Sequence, residues 1–187
     1  MERGGGRRDR ATAILLRGKI ARQRKELAEA ERLYTEALAI YHDLGEEGDQ
    51  AIVLNDLGGV ARTREDYARA GEFYRQALAL AEKTGNKELQ ATYFGNLGLV
   101  ALDQNRPAEA RRWHEREWAL AQEVGRQDLV AHAQAGLAVD LEKENRPAEA
   151  LPLAEEALRI RERLRHQDLG ETRQLVEQLR EKVKHDA

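Results

Sequence analysis

The residues of this chain that could do chemistry are its histidines, its paired carboxylates and the polar side chains of predicted helices. The five histidines form no HExxH string, and none stands four residues from another, so their spacing predicts no zinc site. His114 and Glu117 share a helix face at i, i+3, which favours a polar replacement of core residues over catalysis. Paired carboxylates such as Glu46 and Glu47 fall at loop or outward places, which is typical of a solvated charged face. The sequence therefore predicts no enzyme, no metal site and no cofactor.

Composition excludes several classes of partner. The net charge is -3, so no overall basic field would attract nucleic acid or an anionic membrane. Cysteine is absent, which fits a reducing compartment and favours a cytoplasmic location. No apolar run reaches the roughly 18 residues of a transmembrane helix, and the opening MERGGGRRDR lacks the apolar core of a signal peptide. We expect residues 1–10 to form a disordered basic tail.

A forty-residue repeat organises the rest of the chain. NRPAEA at 105–110 returns at 145–150, and NDLGGVA at 55–61 matches GNLGLVA at 95–101. The predicted blocks are 11–50, 51–90, 91–130 and 131–170, and we call a residue's position counted from the start of its block its place. Each block is expected to hold a helix A over about places 1–15 and a helix B over about places 18–34. The sequence thus predicts an all-α protein with one domain over 11–187.

Small and aromatic residues recur at fixed places of this repeat. Place 8 is Gly18, Gly58 and Gly98, and place 24 is Tyr34 and Tyr74. Together with the alanines at places 20 and 27, these residues resemble the tetratricopeptide repeat, in a forty-residue form similar to kinesin light chains and Leu-Gly-Asn adaptors. The resemblance implies a right-handed superhelical solenoid of four helix-turn-helix repeats whose helix A residues line a concave groove. The third and fourth blocks depart from the pattern at His114, Glu117, Gln134 and Asp140.

The predicted binding residues are the helix A side chains opposite the apolar core stripe, at places 2, 5, 6, 9, 12 and 13, which we call the groove face. The candidates are Lys19, Arg22, Asn55, Asp56, Arg62, Gly95, Asn96, Leu99, Leu102, Gly136 and Val139. Resembling adaptors use Asn beside the Leu-Gly pair to hold a peptide backbone, which favours this role for Asn55 and Asn96. Gly95 and Gly136 each cost about 1 kcal/mol in a helix relative to Ala, and we expect them to face away from the core. They indicate either a functional requirement or drift in a tolerant repeat.

The function that this pattern favours is a non-catalytic scaffold that binds a peptide or helical segment of a partner protein. Lys19, Arg22 and Arg62 favour acidic residues at one end of the ligand, while Leu99, Leu102 and Val139 favour an apolar anchor at the other. One alternative is a sensor or regulatory segment that acts in cis within a larger protein. Another is a self-associating module that stacks through an uncovered amino-terminal edge at Ile14-Leu15-Leu16.

Two local features carry further expectations. Segment 171–185 has Leu175, Leu179 and Val183 at i, i+4 and i+8, which predicts a single helix that caps the fourth block. Pro152 follows Pro147 within the last helix B, so we expect a kink or a late helix start there.

Overall fold

The computed structural model describes residues 3–185, with side chains from Gly6 onward, and over this range it contains nine α-helices and no strand. This confirms the predicted all-α class. The helices are α1 (Arg3–Gln23), α2 (Leu27–Leu44), α3 (Glu47–Thr63), α4 (Tyr67–Lys83), α5 (Lys87–Asp103), α6 (Pro107–Glu123), α7 (Gln127–Lys143), α8 (Pro147–Leu164) and α9 (Leu169–His185). Odd-numbered helices up to α7 are helices A, and even-numbered helices are helices B. No helix of the described residues is long and apolar enough to cross a membrane.

The chain divides into two compact units, Met1–Asn86 and Lys87–Ala187, which we call unit 1 and unit 2. In unit 1, α1 packs on α2, α2 on α3 and α3 on α4. The core is built from buried aliphatic, alanine and tyrosine side chains, among them Leu33, Tyr34, Val53 and Leu57. In unit 2, α5 packs on α6, α6 on α7, α7 on α8 and α8 on α9.

The glycines at place 8 allow helix A to approach a tyrosine of its own repeat. A Cβ at Gly18 would lie 2.6 Å from the ring of Tyr34, and one at Gly58 would lie 2.5 Å from the ring of Tyr74. Real Cβ atoms do not tolerate such distances in a packed interior. The glycines at place 8 therefore allow a close approach of the two helices of each repeat in unit 1.

The turns inside each repeat carry a non-glycine residue in the left-handed region. Lys25, Glu65, Asn105 and Asn145, all at place 15, have φ of 63, 61, 57 and 59°. The turns between repeats use Gly45, Gly85 and Gly125, with φ of 71, 67 and 71°. Since left-handed geometry disfavours side chains with a Cβ, place 15 stores strain that the glycine turns avoid.

This strain predicts that Lys25→Gly stabilises unit 1. We expect the free energy of unfolding to rise by up to about 1 kcal/mol, measured by urea denaturation followed by circular dichroism. Arg24→Gly is the matched control, because Arg24 is exposed, adjacent and not in the left-handed region. It should lower the stability by a similar amount. Equal effects of the two substitutions would show that place 15 is unstrained.

Helices α3, α5 and α7 each begin four residues before their predicted starts, and α1 begins at Arg3, eight residues before its predicted start. Gly45, at place 35, directly follows the end of α2 at Leu44, and α3 begins at Glu47, so the loop is short. The left-handed Gly45 makes this possible because its N–H bonds the carbonyl of His42 while Glu46 bonds that of Tyr41. The predicted block starts therefore lie inside helices A.

The expected disordered tail over 1–10 is wrong for residues 3–10, which form the first turns of α1. Arg7 Nη2 lies 2.9 Å from Asp43 Oδ2, and Arg8 Nη2 lies 3.0 Å from Asp49 Oδ2. These ion pairs attach the basic turns to α2 and α3, so glycine content alone did not prevent helix formation. Met1 and Glu2 lie outside the described residues.

The amino-terminal edge is less exposed than the sequence suggested. Ile14 and Leu15 are buried in the unit 1 core, and only Leu16 of that triplet is exposed, at 55%. Ile20, four residues further along α1, is 50% exposed. Self-association through this edge stays a prediction that would use Leu16 and Ile20 rather than Ile14 and Leu15.

Helix α8 near the carboxyl-terminal end of unit 2 differs from the prediction. Helix α8 is continuous from Pro147 to Leu164 with Pro152 inside it, so the expected late start is wrong. Proline removes only one backbone hydrogen bond here, close to the helix start, and its neighbours maintain the helix. Helix α9 begins at Leu169 and buries Thr172, Val176 and Leu179. Its apolar face joins a core with residues of α7 and α8, including Ala138 and Ala154.

Candidate functional site

The groove face of unit 1 is organised around a buried carboxylate. Asp56 extends from α3 and is only 4% exposed, although it was expected to line the surface. Its Oδ2 lies 3.6 Å from Lys19 Nζ and its Oδ1 lies 3.4 Å from Arg22 Nη1. Both cations extend from α1 and keep side-chain exposures of 43 and 42%. Both cations therefore pair with the same carboxylate of this protein.

Two opposing effects act on the pKa of Asp56. Burial raises the pKa of Asp56, and the positive charges of Lys19 and Arg22 lower it by less, so its pKa lies above the usual value. When ionised, Asp56 neutralises one of two cations. The pair Lys19 and Arg22 thus leaves surplus positive charge on the groove face of unit 1.

The other candidates of unit 1 are half-buried. Asn55 and Arg62 both lie on α3 and both already interact with other groups of the protein. Gly59 lies between them, and a Cβ there would lie 2.9 Å from Arg22 Nη1, at the far end of a half-exposed side chain. The absence of a side chain at Gly59 therefore gives the Arg22 guanidinium room to lie across α3.

The glycines of unit 2 correct a prediction. Gly95 and Gly136 are buried and were expected to face away from the core without a packing role. A Cβ at Gly95 would lie 2.7 Å from both carboxylate oxygens of Glu117, and one at Gly136 would lie 2.9 Å from the ring of His114. These glycines therefore make room for polar side chains of α6. Gly95→Leu, which would look like a simple way to block the groove, would instead collide with Glu117.

The remaining candidates of unit 2 form a mixed, half-buried surface. Asn96, Leu99 and Leu102 lie on α5, and Val139 lies on α7. Asn96 already interacts with another group of the protein. The three aliphatic side chains supply apolar area without being sealed in the core. This arrangement is compatible with the apolar anchor that the sequence suggested.

The structure also contains a buried ionisable network that sequence reasoning did not foresee. His114 Nδ1 lies 2.6 Å from Asp140 Oδ2, and both side chains are fully buried. Glu117 Oε1 lies 2.8 Å from His132 Nδ1, with Glu117 1% exposed. Behind them, the buried Arg161 of α8 donates to Thr172 of α9.

This network stands where the other repeats are apolar. His114 takes the place of Tyr34 and Tyr74, and a Cβ at Gly98 would lie 2.3 Å from its Nε2. Glu117 takes the place of an alanine, and Asp140 takes the place of Val60 and Val100. The sequence indicated this network only through the three polar residues that replace repeat residues at these places. The spacing of these residues did not show which side chains pair with each other.

Burial and pairing shift the pKa values in the network. Burial raises the pKa of Asp140, and the hydrogen bond and charge of His114 oppose this only in part. Burial lowers the pKa of His132, but the hydrogen bond and charge of Glu117 outweigh it, so the pKa of His132 is raised. The folded protein therefore binds protons at both positions more readily than the unfolded chain does.

Two further observations bear on what the surface can do. Among the described side chains, no group of three or more His, Asp or Glu residues is arranged to hold a metal ion. On the helix B side of unit 1, an apolar cleft of about 580 Å³ lies among α2, α3 and α4. Its lining includes Leu38, Ala39, Leu54 and Leu80. We call it the helix B cleft, and it competes with the groove face as a surface for a protein ligand.

These features define a protein built from helix-turn-helix repeats. Comparison with known protein families and solved structures identifies the type of repeat. A family model described as tetratricopeptide repeat matches residues 9–83, 49–123 and 89–163. The chain belongs to the tetratricopeptide repeat family, as the sequence predicted, and the repeats of this family are generally non-catalytic protein-interaction scaffolds. None of the curated proteins matches the chain in sequence.

Solved structures confirm the solenoid class. A putative kinesin light chain of Podosopora anserina with nearly identical TPR-like repeats aligns with a TM-score of 0.75 and 17% identity, covering 99% of this chain and 90% of that one. The apo form of RapI aligns with a TM-score of 0.78 and 16% identity, covering 92% of this chain and 48% of RapI. Aspartyl phosphate phosphatase F from Bacillus subtilis aligns with a TM-score of 0.80 and 13% identity, covering 92% and 45%. This chain thus spans about half the length of RapI and of the phosphatase.

Proposed function

We propose that this protein is a non-catalytic scaffold whose groove face binds an acidic segment of a partner protein. The observation that carries the proposal is the Asp56 arrangement, in which a buried carboxylate fixes two half-exposed cations. A preorganised cation loses little side-chain entropy when a ligand carboxylate approaches, so it favours binding more than a freely moving surface lysine does. A cytoplasmic location is part of this proposal.

The half-buried Leu99, Leu102 and Val139 of unit 2 support an apolar contact in addition to the charged one. Apolar anchors that become fully buried usually supply most of the affinity of an interface, while charges at the rim speed encounter and fix direction. A ligand of the groove face of unit 2 would therefore include at least one bulky apolar residue.

A random library of displayed twelve-residue peptides tests the proposal. Peptides selected on the native protein should be acidic, and the double variant Lys19→Glu/Arg22→Glu should bind them at least about tenfold more weakly at low salt. The difference should shrink when the ionic strength is raised, because exposed charges are screened over about 10 Å at 0.1 M. Fluorescence polarisation of labelled peptides gives the affinities.

The matched control is Arg32→Glu/Arg75→Glu, which changes the net charge equally but on the exposed surface of α2 and α4. It should bind the selected peptides nearly as the native protein does. Failure to enrich any peptide, or an equal loss in both double variants, would contradict binding at the groove face.

A further inference from the structure

A histidine on the groove face of unit 2 is held in place by a buried carboxylate. His132 stands at place 2 of its block on α7, and its side chain is 34% exposed. Its Nδ1 lies 2.8 Å from Oε1 of Glu117. An ionised carboxylate can only accept, so His132 is the donor through Nδ1–H when Glu117 is ionised, and this hydrogen bond orients the ring. This leaves the second ring nitrogen, Nε2, for another partner.

The buried position of Glu117 at place 27 depends on more than one residue that differs from the other repeats. Ala37, Ala77 and Ala157 are fully buried at the corresponding place. The larger carboxylate fits because Gly95 on the neighbouring helix has no Cβ. Glu117 Oε2 is buried with no hydrogen-bond partner, a costly condition in a protein interior. Burial of the Glu117 carboxylate therefore costs stability. Among the described side chains, the one hydrogen-bonded partner of Glu117 is the groove-face histidine His132.

The charged groups around His132 come from several elements. Glu117 of α6 acts most directly, Arg161 of α8 opposes it, and Asp168 ahead of α9 adds a weaker negative influence. On helix α5, the groove face carries the uncharged Gly95, Asn96 and Leu99 and, at the end of the helix, the charged Asp103. The balance favours the imidazolium form, and its positive charge is offset by Glu117. A protonated His132 then presents Nε2–H as a charged donor at the groove face.

We propose that His132, positioned by Glu117, is a proton-linked anchor that binds a carboxylate of the partner segment in unit 2. The inference rests on the proposed function and adds the partner chemistry and pH dependence of one contact. An imidazolium that donates to a carboxylate forms a charge-assisted hydrogen bond, which is stronger than a neutral one. Deprotonation removes the donor at Nε2, so binding weakens as the pH rises through the pKa of His132.

The test uses the displayed random twelve-residue peptides, selected on the native protein at about pH 6, where an ordinary histidine is largely protonated. The selected peptides, once labelled, should bind the native protein about tenfold more tightly at about pH 6 than at about pH 8. His132→Gln should remove most of this pH dependence. His42→Gln, on the exposed surface of α2, is the matched control and should preserve it.

A second readout needs no ligand. The ring nitrogens of His132 can be titrated by nuclear magnetic resonance in the native protein and in Glu117→Gln, with circular dichroism to confirm that the variant is folded. The native His132 should titrate above the ordinary value of about 6.5, and Glu117→Gln should lower its pKa. A native pKa at or below the ordinary value would overturn the inference.

The two proposals fail in different ways. If selected peptides bind but His132→Gln keeps the full pH dependence, the proton-linked anchor is wrong and the scaffold function stands. If no peptide is enriched at either pH, both proposals are wrong.

Discussion

His114→Tyr alone and Asp140→Val alone should each lower the free energy of unfolding by about 3 kcal/mol or more, whereas the double variant should recover most of that loss. The two side chains form a fully buried pair with Nδ1 and Oδ2 2.6 Å apart. Removing one member leaves the other as an uncompensated buried polar group or charge, which costs about 3–5 kcal/mol. Replacing both members by apolar residues of suitable size removes that cost.

The replacements are those that the other repeats already use. Tyr34 and Tyr74 occupy the place of His114 in unit 1, and the glycine that receives their rings is present here as Gly98. Urea denaturation followed by tryptophan fluorescence measures the effect, because both tryptophans, Trp113 and Trp118, lie on α6 of unit 2. A double variant as unstable as the single ones would show that the surrounding core requires polar groups at these positions.

Truncation after Asp168, which removes α9, should lower the free energy of unfolding of unit 2 by about 3–6 kcal/mol. Val176 and Leu179 are 2 and 0% exposed, and full burial of an aliphatic side chain is worth about 1.5–3 kcal/mol. The loss of Thr172 also leaves the buried Arg161 without a hydrogen-bonded partner. The same fluorescence measurement applies.

A shorter truncation after Arg180 provides the control for α9. The described residues that it removes, 181–185, are exposed or half-exposed, and Thr172, Val176 and Leu179 are kept, so the stability should change by less than about 1 kcal/mol. Equal unfolding curves for the native protein and the truncation after Asp168 would mean that α9 does not stabilise the fourth repeat.

Much of the fold could be predicted because the repeat shows the same constraints several times. Gly18 and Gly58 each face a tyrosine ring at the same place, so the periodic pattern directly reports a packing contact. Helix starts were less predictable, because a left-handed glycine such as Gly45 can close a turn in very few residues. The first turns of α1 were missed because their ion pairs with Asp43 and Asp49 involve residues distant in sequence.

The candidate site was only partly predictable for a related reason. Helical periodicity correctly assigned Lys19 and Arg22 to one face, but it could not show that Asp56 is buried between them. It likewise assigned Gly95 to the groove face without showing that Glu117 reaches it from another helix. Periodicity gives the direction of each side chain on its own helix, whereas burial and pKa depend on how far the neighbours extend.

The central claim is that the groove face, rather than the helix B cleft, binds the partner segment. The most direct measurement is chemical-shift mapping of the labelled protein with a peptide selected from the random library. We expect the largest chemical-shift changes at groove-face residues such as Lys19, Asn55, Leu99 and His132. Largest shifts at Leu38, Ala39, Leu54 and Leu80, which line the helix B cleft, would contradict it.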